Sequence, residues 1–295
     1  MQTPNYIEFK KQRELGEILS DSFSFIRNQF KPFFGVILKI VGPYILVMLI
    51  SMGFYMYTIG DLFNFSTLGS GSMDTASPII MILAILLLVL SSVAAYVLAQ
   101  GTVLHYIRSY IEHKGEVQYE EIRSGVYGSF WSFIGLGFLV ALSVGVGILF
   151  CIVPGIYLAV PLSLSVAILV FLKKDVMDSY QYSFTLIKEN WWITFATLLV
   201  VYIIVAVASY AFSLPAVIYM WIKMGVFSGE FDAENFNNFN DPVYLFLNVL
   251  STLVQFLMNI IFLVTTAFIF FNLNEKKNFT GTFERIESLG KSVKD

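Results

Sequence analysis

Apolar and polar positions alternate along this chain in long blocks. Six stretches run nearly free of charge: about Phe33–Tyr57, Ile79–Tyr106, Phe130–Ile152, Ile156–Leu172, Trp192–Trp221 and Val243–Phe271. A helix needs roughly 20 apolar residues to cross about 30 Å of hydrocarbon, and each stretch is near that length. Lipid offers no partner to an unpaired backbone group, so all six predict helices. Pro43, Pro161 and Pro215 are positions where a span can kink, and a bend is expected near Pro215.

A second pattern lies between the blocks. Residues 13–30 (RELGEILSDSFSFIRNQF) return in outline at 174–191 (KDVMDSYQYSFTLIKENW), 161 positions later. Wound at about 3.6 residues per turn, Leu15, Ile18, Leu19, Phe23, Phe25, Ile26 and Phe30 share one half of a helix. Val176, Tyr180, Phe184, Leu186, Ile187 and Trp191 share the matching arc of the second copy. Glu17, Ser20, Ser24 and Arg27, or Asp178, Gln181, Thr185 and Lys188, lie opposite. Such helices lie in the plane of a membrane interface, either as sensors or docking helices or as covers for the ends of the bundle. Phe23, Ile26, Arg27, Phe30, Phe184, Ile187, Lys188, Trp191 and Trp192 are their candidate contact residues. A weaker third copy, Tyr119, Ile122, Val126 and Phe130, precedes the third span and is diluted by Gly115, Gly125 and Gly128.

These patterns predict an all-α polytopic membrane protein with six transmembrane helices in three hairpins, each preceded by an amphipathic interfacial helix. One membrane domain covers 1–295, with modules at about 13–112, 115–172 and 174–275 and a polar tail, 276–295. The outer modules carry long loops (GDLFNFSTLGSGSMDTAS and GVFSGEFDAENFNNFND) ending in the helix starts Ser77-Pro78 and Asp241-Pro242. The middle module turns tightly at Pro154-Gly155, although a re-entrant break there is the other reading.

Charge then orients the bundle. Sixteen of the eighteen lysines and arginines fall on the N-terminal segment, the second and fourth connections and the tail. The opposite connections carry Asp61, Asp74, Glu230, Asp232, Glu234 and Asp241. Basic residues mark the cytoplasmic side, so both termini are expected there. The polar start, MQTPNYIEFKKQRELGEILS, predicts no secretory signal.

Composition agrees and excludes. The chain is 57% hydrophobic and 13% charged, against about a quarter charged in soluble domains. A net charge of −3 argues against nucleic acid as a partner. One cysteine, Cys151, and two histidines argue against a zinc site, and no cofactor is expected.

Few residues suggest chemistry. In the sixth span Asn248, Ser251, Thr252, Gln255, Asn259 and Thr266 fall on one arc. They form either a polar packing seam or the lining of a small-molecule or lipid-headgroup cavity. Lys39, about 9 Å into the first span, either snorkels or meets a lipid phosphate. His105 has no carboxylate or second histidine in register and reads as an interface residue. Ser91, Ala95 and Ala99, and Ser143 and Gly147, are spaced for close helix contacts. Phosphate-binding loops, HExxH and Gly-x-Ser-x-Gly elbows are absent from the sequence, so no catalytic or metal residue is assigned and no enzyme is expected.

Pro154-Gly155-Ile156-Tyr157 precedes Ser183-Phe184-x-Leu186-Ile187-Lys188-x-x-Trp191-Trp192 by about one span, and Glu17–Phe23 opens the first surface helix. On these residues, between about 13 and 275, the chain resembles the bacterial membrane domains of glycerophosphoryl diester phosphodiesterases and related six-span proteins. It departs from them at Phe171-Leu172-Lys173, where relatives often carry an acidic residue. The resemblance implies the architecture and a bacterial inner membrane. The family's hydrolase activity belongs to a separate soluble barrel, for which the tail 276–295 leaves no room, so no catalytic residue carries over.

The function expected is a non-catalytic scaffold or accessory factor of envelope processes. Its partners would be membrane lipids and, through the interfacial helices, a protein. The alternatives are a small-molecule or lipid transporter or channel using the sixth span, and an anchor or regulator for a separately encoded phosphodiesterase.

Overall fold

The computed structural model describes residues 6–62, 76–227 and 241–292. Most of both long loops, with Asp74, Glu230, Asp232 and Glu234, lies outside the described residues. Of the described residues, 87% are helical and none is in a strand. The helices are α1 (Leu15–Asn28), α2 (Phe30–Ile40), α3 (Gly42–Leu62), α4 (Ala76–Glu112), α5 (Tyr119–Phe150) and α6 (Ile152–Leu162). They continue as α7 (Ser165–Phe171), α8 (Val176–Ile187), α9 (Trp191–Lys223), α10 (Pro242–Asn278) and α11 (Thr280–Ser292). Six segments are long and apolar enough to cross a membrane: Gly42–Ile59, Pro78–Glu112, Tyr119–Phe150, Ile152–Phe171, Trp191–Lys223 and Pro242–Asn278. This is the pattern of a multi-pass membrane protein.

Four boundaries differ from those read in the sequence, each for a backbone reason. The first apolar stretch is two helices, broken at Val41. Pro43 has no N–H for the carbonyl of Lys39, and α3 restarts with Tyr44 and Ile45 donating to Val41. The middle corner sits at Cys151, in extended backbone, and not at Pro154-Gly155. Pro154 falls in the first turn of α6, where its missing donor costs nothing. Gly155 serves packing: a Cβ on Gly147 would stand 2.9 Å from the Gly155 Cα. The fourth span breaks between α6 and α7, where Ser163 and Ser165 hydroxyls donate to the carbonyls of Val160 and Leu162. Finally, the third surface copy is not a separate helix. Tyr119, Ile122 and Val126 are the first turns of α5, with Ile122 and Val126 buried.

Pro215 lies inside the single helix α9. At the start of α10 the expected cap forms: the Asp241 carboxylate accepts from the N–H groups of Val243 and Tyr244, at 2.9 and 3.3 Å. It also receives the Tyr219 hydroxyl at 3.0 Å and faces the Lys223 ammonium at 3.3 Å.

The chain divides into two compact units. One comprises residues up to Ile40, Val97–Ile204 and residues from Ile260 onward. Its core is aromatic: Phe25 packs edge-on against Phe9, Phe33, Tyr106, Tyr110 and Phe268. The other comprises Val41–Tyr96 and Val205–Asn259. There Tyr96 meets Phe256 at 5.1 Å between ring centroids.

Candidate functional site

Both chain ends are built into the first unit by buried polar groups. Arg13, its side chain wholly buried, donates from Nε to Asp21 at 2.8 Å and from Nη1 to the Phe9 and Lys11 carbonyls, with a further bond to the Glu8 carbonyl. Its guanidinium also stands 4.8 Å over the Phe268 ring. Burial pulls the Arg13 pKa down, against the pull of Asp21. The clamp turns residues 6–13 back so that the Ile7 N–H donates to the Tyr110 hydroxyl and Phe9 enters the core. Tyr6 stacks on Tyr110, and its phenol is pushed up to about 12 by burial, then by Tyr110, Glu8 and Glu284.

At the other terminus Glu275, itself buried, accepts from the N–H groups of Gly281 and Thr282 and from the Thr282 hydroxyl. That carboxylate fixes the start of α11. Lys10 and Glu284 pair, Arg285 donates to the Lys10 carbonyl at 3.2 Å, and Gly281 leaves no room for a side chain against that same carbonyl. The segments 6–13 and 280–285 are thereby one folded assembly.

The repeated helices keep their offset: α1 begins at Leu15 and α8 at Val176, each after an acidic residue, Glu14 or Asp175, in extended backbone. Ser22 and Ser183 are both fully buried. The burial differs from the single apolar face expected. In α1 the set Ile18, Ser22 and Phe25 faces protein, while Leu15, Phe23 and Arg27 are exposed and Ile26 is half-buried; Phe30, which opens α2, is exposed. In α8 Ser179, Ser183, Leu186 and Ile187 are buried and Phe184 is half-buried. The Tyr180 hydroxyl meets Ser143 Oγ at 2.9 Å, which explains the small residue there.

Trp191 and Trp192 are brought together with Lys188 and Tyr157. Trp191 stacks on Tyr157 with centroids 5.3 Å apart, while Trp192 is 76% exposed. A groove of about 630 Å³ runs past Tyr157, Lys188 and both tryptophans, and a second of about 330 Å³ adjoins it at Phe184 and Ile187.

Lys39 lies at the end of α2, before the first span, with its ammonium 5.4 Å over the Tyr119 ring. In the sixth span Asn248 and Thr252 spend their donors on their own helix, on Tyr244 and Asn248 carbonyls. Ser251 also reaches another helix, at the Phe212 carbonyl, 3.0 Å away. Gln255 is exposed and Asn259 half-buried.

One site was missed. His105, buried against Gly125, lines a cavity of about 540 Å³ together with Arg108, Ser129, Ser132, Lys173 and Lys174. In the sequence these cations served only to orient the bundle, and their spacing of about sixty residues hid that they meet. No family model, curated protein or solved structure matches the chain.

Proposed function

We propose that this chain is a non-catalytic multi-pass protein of a bacterial inner membrane, with both termini cytoplasmic. It acts as a scaffold or accessory factor of envelope processes and presents the terminal assembly and the flanking helices α1 and α8 to lipid headgroups or a partner protein. The observation that carries this reading is the Arg13 and Glu275 architecture. Spanning a membrane does not require folded flanking segments, yet Arg13 and Glu275 each fix one of them, and Lys10, Glu284 and Arg285 join the two. The alternation of basic and acidic connections supports the orientation. Exposed Phe23, Phe30 and Trp192 beside Arg27 and Lys188 have the mixed character of an interfacial surface. The resemblance of its short motifs to phosphodiesterase membrane domains, read from the sequence alone, is the ground for the bacterial setting.

Photo-crosslinkers placed at Glu17–Arg27 and Asp178–Lys188 in native membranes test the docking role. A discrete protein adduct from either helix is expected, and none from both overturns the partner version. Glu284→Cys in a Cys151→Ser background tests the orientation. Impermeant maleimide must reach it only after the cells are opened.

A second reading, a small-molecule or lipid transporter or channel, is favoured by Gln255. It is an exposed amide about 20 Å along α10, where hydrocarbon would surround it. Cysteines at Asn248, Gln255 and Asn259 would react with aqueous reagents under this reading and stay protected under the first.

A further inference from the structure

The cavity behind Lys173 and Lys174 has a chemistry of its own. Arg108 approaches from α4, Ser129 and Ser132 from α5, and the two lysines from the turn between α7 and α8. Lys173 adopts a left-handed φ of 52°, which turns the chain there, and both lysines line the space. Against these three cations stand the lining carboxylate of Asp175 and Glu112, which takes the Arg108 Nε at 3.0 Å. Lys174 also stands 4.9 Å over the Tyr182 ring. Among the side chains that line the space, the cations outnumber the single carboxylate.

The backbone adds to it. Val176 and Met177, which line the cavity, open the 12-residue helix α8. The first amides of a helix have no partner within it, and the Asp175 side chain does not cap them. The positive end of a helix dipole and its free N–H groups favour an anion with several acceptor oxygens. Leu169, Val170 and Met177 make part of the wall apolar. Trp131, next to Ser132, is 77% exposed at the start of the third apolar stretch, and aromatics are enriched at such membrane–water boundaries.

We propose that this cavity binds the phosphate-bearing headgroup of an anionic phospholipid. The phosphate meets Arg108, Lys173 and Lys174 and the start of α8, the serines reach the glycerol or headgroup hydroxyls, and the apolar wall receives the first methylenes. A volume of about 540 Å³ suits a headgroup with its glycerol. The inference rests on the orientation proposed above, since the cytoplasmic leaflet is the one facing this end and it is anionic.

Calorimetry on the full chain in detergent tests it, with dioctanoyl phosphatidylglycerol, dioctanoyl phosphatidylcholine and inorganic phosphate as probes. Phosphatidylglycerol should bind, and Arg108→Gln/Lys173→Gln/Lys174→Gln should weaken it by at least about tenfold. Removing the same charge at Lys31, Lys114 and Arg123 should cost no more than about twofold. Ser132→Phe fills the cavity with every charge intact and should weaken binding as the triple variant does, in protein that still elutes as one species. Unchanged affinity in the triple variant, or equal losses in the two charge-matched sets, overturns the site. Equal affinity for inorganic phosphate, or for phosphatidylcholine, overturns the anionic lipid as its ligand. Binding in detergent does not depend on topology, so an inverted orientation would leave the measured affinity as it is and remove only the cytoplasmic leaflet as the source of the lipid.

Discussion

The indole N–H of Trp191 donates to the carbonyl of Tyr157 at 3.3 Å, and it is Pro161 that leaves this carbonyl without its helical partner. Proline at i+4 has no N–H, and inside a span such an orphan must find a donor elsewhere. Here the donor comes from the second copy of the repeat, which ties the start of α9 to the broken fourth span.

A double-mutant cycle reads this dependence. Trp191→Phe should destabilise the detergent-solubilised protein by about 1 kcal/mol, by loss of a hydrogen bond to an otherwise unpaired group. In a Pro161→Ala background the carbonyl regains an N–H, so the same substitution should cost close to nothing. Equal costs in both backgrounds would show that only the ring stack matters.

At the Cys151 corner, Gly155→Ala places a methyl against Ile148, including its backbone nitrogen at 2.9 Å. Overpacking of that kind costs about 1–3 kcal/mol. Gly137→Ala, with nothing within 4 Å, should be neutral. Thermal loss of the monodisperse species in detergent distinguishes them.

Arg13→Ala should release the N-terminal segment. The substitution leaves the Phe9 carbonyl without its donor and the partly exposed Asp21 with Lys11 as its remaining cation, a loss of about 1–3 kcal/mol. Trypsin should then cut at Lys10 and Lys11 at least several-fold faster than in the parent, if cutting follows the open population.

Glu275→Gln should act at the other terminus. An amide cannot offer two carboxylate oxygens to the donors of Gly281 and Thr282. Hydrogen exchange across 280–287 should accelerate, while the core around Phe268 stays protected. Unchanged exchange at 280–287 would remove Glu275 from the role of a cap.

Asp241 brings a pH dependence. Burial alone would raise its pKa, but bonds from Tyr219, Val243, Tyr244 and Lys223 outweigh it and hold the carboxyl below its ordinary value of 3.8. A lowered folded pKa means stability that is complete above the unfolded value and lost as pH falls through the folded one. The gap in unfolding temperature between the parent and Asp241→Asn should therefore be widest near about pH 6 and narrow toward about pH 3.

The contrast between α5 and α1 shows how far the residues alone can be read. Both begin with apolar positions at helical spacing, yet Ile122 and Val126 continue into a span whereas α1 ends at Asn28. The repeated serine was visible as a match, but its meaning was not. Only packing shows that Ser22 and Ser183 lie on the buried seams of their helices.

By itself the sequence determined the helical class, the six apolar segments and the cap at Asp241. These depend on local sums of hydrophobicity and on side chains bonding their own neighbours. Tertiary structure decided the split at Val41, the corner at Cys151, the Arg13 and Glu275 clamps and the cavity joining Arg108 to Lys173 and Lys174. The corner and the split turn on which backbone groups find partners, and the clamps and the cavity on which distant side chains converge. Neither is written in the order of residues, because a proline or a lysine carries the same local signal wherever its partner lies.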